Sequence, residues 1–190
     1  MQQSLKLLTV SLVCGLSANS AASAETIEEK AALCAACHGE AGIPADPKFP
    51  NIWGQHTGYL FIQLKDMKEG RRKNEVMAPI VAEMSKDDML AFAEYFAAKE
   101  WPRTGYSASA EDAAKANPIE VAGQCTACHL EGYIGDSAVP RLAGQNPDYL
   151  TKTTKDFKTK ERGNNAFMTD MLASFSDADI ALMSRFTAGQ

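Results

Sequence analysis

Two five-residue stretches constrain this chain more than anything else in it: Cys34-Ala35-Ala36-Cys37-His38 and Cys125-Thr126-Ala127-Cys128-His129. Both read C-x-x-C-H, the attachment signature of a c-type haem. On a helical turn, residues three apart share a face. Two thiols so placed can reach two vinyl groups on one porphyrin edge. The histidine that follows then comes under the ring and offers an imidazole nitrogen to iron. One copy alone would be open to a redox or zinc reading. Two copies 91 residues apart, using two of the three histidines, imply two covalently bound haem c groups. The fifth iron ligands are then His38 and His129.

The remaining cysteine, Cys14, lies in a stretch that reads as a secretory leader. Lys6 gives a weakly positive start, Leu7 to Leu16 is mostly apolar, and Ala22-Ser23-Ala24 supplies small residues for cleavage. Residues 1–24 are therefore expected to be a cleaved signal peptide, with an uncleaved membrane tether as the alternative. The apolar run is too short for a spanning helix. Export places the protein in the periplasm. The other four cysteines all belong to the motifs, so none remains for a structural disulfide. Residues 25–190 carry 18 basic and 24 acidic side chains, a formal −6, which haem propionates would deepen. The balance is similar in both halves and excludes a nucleic-acid footprint.

The chain is an internal repeat. Thr26-Ile27-Glu28-Glu29 is a capping box, and Asn117-Pro118-Ile119-Glu120 reads as the matching helix start. Gly39 and Gly132 stand ready to end the motif helices. Pro50-Asn51-Ile52-Trp53-Gly54-Gln55 aligns with Pro140-Arg141-Leu142-Ala143-Gly144-Gln145. A helix follows each, from Tyr59 to Gly70 and from Tyr149 to about Lys160; Asn146-Pro147 caps the second. Polar loops then lead to Met77 and Met168, each 39 residues after the histidine of its own motif. Ser85-Lys86-Asp87-Asp88 and Ser176-Asp177-Ala178-Asp179 open closing helices whose apolar faces are Met89, Phe92, Phe96 and Ile180, Met183, Phe186. No run alternates like a strand. The expected fold is all-α: two tandem units of about three helices, residues 25–103 and 117–190, joined by a linker over 104–116 that is rich in small residues.

These motifs, the Pro…Gly-Gln…Tyr-Leu segment of each half and the late methionines resemble the dihaem cytochromes c of the cytochrome c4 type, over essentially all of residues 25–190. The second motif departs mildly: His129 is followed by Leu130-Glu131-Gly132, where the first has His38-Gly39. The resemblance implies two class I cytochrome c domains facing each other across a pseudo-twofold interface, each iron ligated by histidine and methionine, in an exported electron carrier. Its donor would be a quinol-oxidising complex and its acceptor a terminal oxidase or reductase. Any association with a membrane would come through those partners.

Met77 and Met168 are the expected sixth ligands, because they are equivalent in the repeat, lie at the ends of polar loops and share the same distance from their histidines. A methionine thioether is soft, favours ferrous iron and raises the potential. Met67, Met84, Met89, Met171 and Met183 read as core filler. The haem-binding set is thus Cys34, Cys37, His38 and Met77 with Cys125, Cys128, His129 and Met168. A filled sixth position suits a carrier rather than an enzyme. The alternatives are a cytochrome subunit of a periplasmic dehydrogenase complex and a dihaem peroxidase. His56 reads as a capping or surface residue. Trp53, Tyr59 and Tyr149 are either haem-contacting or ordinary core aromatics. Arg72 and Arg162 read as solvated loop charges, with pairing to propionates as the alternative. Lys152, Lys155, Lys158 and Lys160 form a basic helix face, solvated by default or else steering an acidic partner.

Overall fold

The computed structural model describes residues 25–190, so the signal-peptide reading of 1–24 lies outside the described residues. The first half has four helices: α1 (Ile27–His38), α2 (Thr57–Lys68), α3 (Met77–Ala82) and α4 (Lys86–Ala97). The second has five: α5 (Ala110–Gly123), α6 (Thr126–His129), α7 (Pro147–Thr159), α8 (Ala166–Leu172) and α9 (Asp177–Ala188). Among the described residues the only β-type pairings are the isolated bridges Arg72–Arg162 and Asp136–Val139. The all-α expectation agrees with this.

Three starts are built as the spacing implies. Thr26, Ser85 and Ser176 each close a capping box, with Glu29, Asp88 and Asp179 bonding back. The closing helices turn the faces assigned to them inward, α4 onto α2 and α9 onto α7: Met89, Phe92, Phe96, Ile180 and Met183 are buried and Phe186 is half-buried. Each half has its own apolar cluster. Ala31, Phe92 and Phe96 gather Ile52, Trp53 and Leu60 in the first. Phe157, Leu172, Ile180 and Met183 gather Ile119 and Phe175 in the second.

The structure corrects the sequence reading at four places. First, α5 starts at Ala110 rather than at Asn117, so residues 110–116 of the expected linker are helical. Ser109 caps it by accepting the Asp112 N–H at 3.0 Å. The run Ala110 to Ala116 is rich in the best helix former, and Arg185 of α9 fastens Asp112 at 2.8 Å. Pro118 therefore lies inside the helix. Second, the methionines do not sit at loop ends. Met77 opens α3 and Met168 lies in the first turn of α8. Asn74 Oδ1 accepts the Met77 N–H at 2.9 Å and Asn165 Oδ1 accepts the Met168 N–H at 3.1 Å. An asparagine three residues before each methionine was the legible signal.

Third, Asn146 occupies the start of α7 but makes no side-chain cap; Pro147 at the first turn does the positioning. Fourth, the second motif is not at the end of a continuous helix. Gln124 turns left-handed (φ 51°) after α5, and Thr126–His129 forms the separate one-turn α6 with Cys125 as its N-cap. Leu130 (φ 63°), not Gly132, ends it. In the first half the same position is Gly39 (φ 85°), where an added Cβ would fall 2.1 Å from the Ile43 carbonyl oxygen.

Candidate haem-binding site

Cys34 and Cys37 lie one turn apart near the end of α1, and His38 is its last residue. Cys125 and Cys128 repeat the spacing on α6, which ends on His129. Among the described residues no disulfide joins these four cysteines. Burial pushes the Cys34 and Cys125 thiols up. His38 and His129 are buried, and burial lowers both below the ordinary imidazole range. They are neutral at pH 7, the state that can donate to a metal.

The tautomer is set by a partner. His38 Nδ1 donates to the Pro50 carbonyl at 2.9 Å, and His129 Nδ1 to the Pro140 carbonyl at 3.0 Å. Nε2 is then the nitrogen left with a lone pair, as in a metal-bound histidine whose other ring nitrogen is held by a carbonyl. Both motifs and both methionines line one connected cavity of about 1330 Å³. That exceeds the ~300–1,000 Å³ of an ordinary single-ligand pocket. Its walls are largely apolar, including Leu33, Ile62, Ile80, Phe167 and Met171. Paired thiols, a neutral imidazole with Nδ1 engaged, a thioether and an apolar wall, supplied once by each half, fit two covalent haem groups.

His56 lines no part of this cavity. It stands at the start of α2 without making a side-chain cap, and half-buried it bonds the Ile134 carbonyl of the second half through Nε2 at 2.9 Å, which corrects its reading as a capping or surface residue. Three lysines of the basic face are tied up internally: Lys152 with Asp156 at 2.5 Å, Lys155 and Lys158 with Asp177 at 3.4 and 2.8 Å.

The halves meet in reciprocal contacts that the sequence reading did not anticipate. Gln145 Oε1 accepts the Asn51 N–H at 2.8 Å, and its Nε2 donates to the Asn51 carbonyl at 2.9 Å. Gln55 does the same to Arg141, both bonds at 2.9 Å. Both glutamines are 3% exposed. Gly144 sits so close to the Trp101 indole that an added Cβ would fall 2.7 Å from its Nε1.

The arginines complete the interface. Arg72 and Arg162 are 8% and 5% exposed, which overturns their reading as solvated charges. Arg72 donates to the Tyr149 hydroxyl at 3.0 Å and Arg162 to the Tyr59 hydroxyl at 3.2 Å, so each arginine reaches the tyrosine of the other half. Gln63 Oε1 accepts from both, at 3.1 and 2.8 Å. Burial alone would push the Tyr149 phenol up, but Arg72 and Arg162 outweigh it and bring it down to about 8. Tyr59 and Tyr149 are interface residues first. Both also line the cavity, as do the two arginines.

No protein-family model matches the chain. It is 33% identical to the cytochrome c4 of Pseudomonas aeruginosa over 96% of this chain and 95% of that protein. It is 32% identical to a thiosulfate dehydrogenase electron acceptor of Stutzerimonas stutzeri, over 83% of this chain and 79% of the other. Among solved structures, reduced recombinant cytochrome c4 from Pseudomonas stutzeri superposes with a TM-score of 0.78 at 29% identity, covering 86% of this chain and 96% of that one.

Proposed function

Because this chain belongs to the cytochrome c4 family, an electron-transfer family with two covalent haem c groups, we propose that it works in the periplasm, taking electrons from a quinol-oxidising complex and passing them to a terminal oxidase or reductase. The division into two domains belongs to the same reading: residues 25–103, then a second domain that opens with α5 at Ala110, with 104–109 as the connection. So does the ligand assignment: Cys34, Cys37, His38 and Met77 for one haem, Cys125, Cys128, His129 and Met168 for the other.

The observation that carries the ligand assignment is the duplication of a complete set. Each half brings to the shared cavity two thiols, a histidine whose Nδ1 is held by a proline carbonyl, and a methionine on an asparagine-capped turn. When bound, each haem supplies an iron that alternates between ferrous and ferric states. The protein's part is to keep that change cheap. Neutral, buried His38 and His129 are held in one tautomer by hydrogen bonds of 2.9 and 3.0 Å. Met77 and Met168 are fixed in capped helical turns, so that their thioethers need no rearrangement between states. The apolar cavity wall excludes water from the reacting centre.

A second reading of the donor has support of its own. The thiosulfate dehydrogenase electron acceptor relative suggests a periplasmic dehydrogenase in place of the quinol-oxidising complex. Stopped-flow reduction by each candidate donor separates the two. For the ligands, Met168→Ala and Met77→Ala are each expected to open one iron to carbon monoxide and lower its potential, leaving the other haem as in the parent. Carbon monoxide binding unchanged from the parent would refute the assignment for that half.

A further inference from the structure

Each motif histidine hangs on a peptide that the opposite half holds by its other end. The carbonyl of Pro50 and the N–H of Asn51 belong to one peptide group. The carbonyl accepts the His38 Nδ1 proton at 2.9 Å, while the N–H donates to Gln145 Oε1 at 2.8 Å. The second half mirrors this. The Pro140 carbonyl accepts from His129 Nδ1 at 3.0 Å, and the Arg141 N–H donates to Gln55 Oε1 at 2.9 Å.

We propose that Gln55 and Gln145 are positioning residues that set the reduction potential of the haem in the opposite domain, each through the peptide that orients that haem's histidine. The proposal rests on His38 and His129 being the iron ligands.

The physics is that of a hydrogen-bond chain. An acceptor on a peptide N–H draws charge toward its carbonyl, and bonds in series strengthen one another, by perhaps 10–30% each. A more negative carbonyl pulls harder on the Nδ1 proton and makes the imidazole a stronger donor. Stronger donation favours ferric iron and lowers the potential; hydrogen bonds to the ligand's far side are one of the protein's levers on it.

The side-chain amides cannot be turned the other way. Gln145 Oε1 also accepts the Asn146 N–H at 2.9 Å, and Gln55 Oε1 the His56 N–H at 3.1 Å. Each Nε2 faces a carbonyl oxygen at 2.9 Å. A flip would set donors against donors. At 3% exposure, water does not compete for these bonds. The two halves are therefore joined by more than packing: separating them would relax both histidines at once.

The test uses the dihaem protein with Gln145→Met and Gln55→Met, an unbranched replacement of similar volume that keeps packing but neither bond. Redox titration is followed by the paramagnetically shifted haem-methyl resonances, which report the two irons separately. Gln145→Met should raise the potential of the haem bound by His38 and leave the other alone; Gln55→Met should do the converse. A change of about threefold in the reduced-to-oxidised ratio, ~28 mV at 59 mV per tenfold, is expected. A shift confined to the variant's own half, an equal shift of both haems, or none would overturn the proposal.

Should either variant not accumulate as a folded dihaem protein, the parent decides. In its diamagnetic reduced state the His38 Nδ1 proton and the Asn51 amide proton should lie downfield and exchange slowly; ordinary positions and fast exchange would overturn the proposal. The two readings fail separately. Carbon monoxide binding by the methionine variants, and ring-shifted histidine resonances in the parent, test the ligands, and only the cross-domain shifts test the glutamines.

Discussion

Gln63 is the single acceptor on which the interface converges, and replacing it is the sharpest test of how the halves hold together. Its Oε1 receives Arg72 Nη1 at 3.1 Å, Arg162 Nη2 at 2.8 Å and Asn164 Nδ2 at 3.1 Å. Two of these donors are charged, and two come from the other half. A hydrogen bond to a charged group contributes ~1.5–3 kcal/mol and a neutral one ~0.5–1.5. The donors keep other partners: Arg72 keeps Tyr149, Arg162 keeps Thr153 and Tyr59, Asn164 keeps Asp66. That holds each loss to the bottom of its range. Gln63→Met should then cost about 3.5 kcal/mol. At ~2–4 °C per kcal/mol for a chain of this size, the melting temperature should fall by ~7–14 °C. The assay is thermal unfolding of the dihaem protein, followed by helical circular dichroism. Thr153 holds the equivalent place in the repeat and accepts only Arg162, at 2.5 Å. Thr153→Val should therefore cost about half as much. A Gln63→Met protein within ~1 kcal/mol of the parent, or Thr153→Val as damaging as Gln63→Met, would refute the reasoning, since both outcomes contradict a shared acceptor with charged donors.

Two further outcomes follow from the second half alone. Leu130 holds φ 63° and ψ 167° with its side chain 40% exposed. That backbone region costs a non-glycine residue ~1–3 kcal/mol, against ~0.5–1 kcal/mol for glycine's greater loss of freedom. Leu130→Gly should therefore gain about 1 kcal/mol in urea unfolding; an unchanged or lower midpoint would contradict the strain. Glu120 is buried against the Tyr133 hydroxyl at 3.0 Å, and burial raises its carboxyl above the usual 4.5 despite bonds from Cys125 and Tyr133. A thioether at Cys125 would remove one of those donors and raise it further. A folded-state pKa above the unfolded one means stability that is full below the unfolded pKa and lost as pH rises through the folded pKa. Glu120→Gln should thus melt higher than the parent at pH 7 and alike at pH 4; equal melting at both pH values would show that the carboxylate is not penalised in the fold.

The sequence by itself determined whatever depends on residues a few positions apart. C-x-x-C-H spacing, the Thr26, Ser85 and Ser176 boxes, and the apolar faces of α4 and α9 are local geometry, legible because helix period and capping operate within one or two turns. Repetition extended that reach, marking Met77 and Met168 as equivalents. Even there the local reading slipped. Asn117-Pro118 looked like a start and proved to be mid-helix, because Ser109 and the alanines after it nucleate earlier. Tertiary contacts alone set the character of residues whose partners lie 77 to 103 positions away. Arg72 and Arg162 look like loop charges until the tyrosine of the other half arrives. Gln55 and Gln145 are visible as a repeated pair, but nothing in their neighbours says that each grips the peptide behind the other half's histidine. Such roles come from burial and from donors matched across an interface, and no spacing along the chain encodes either.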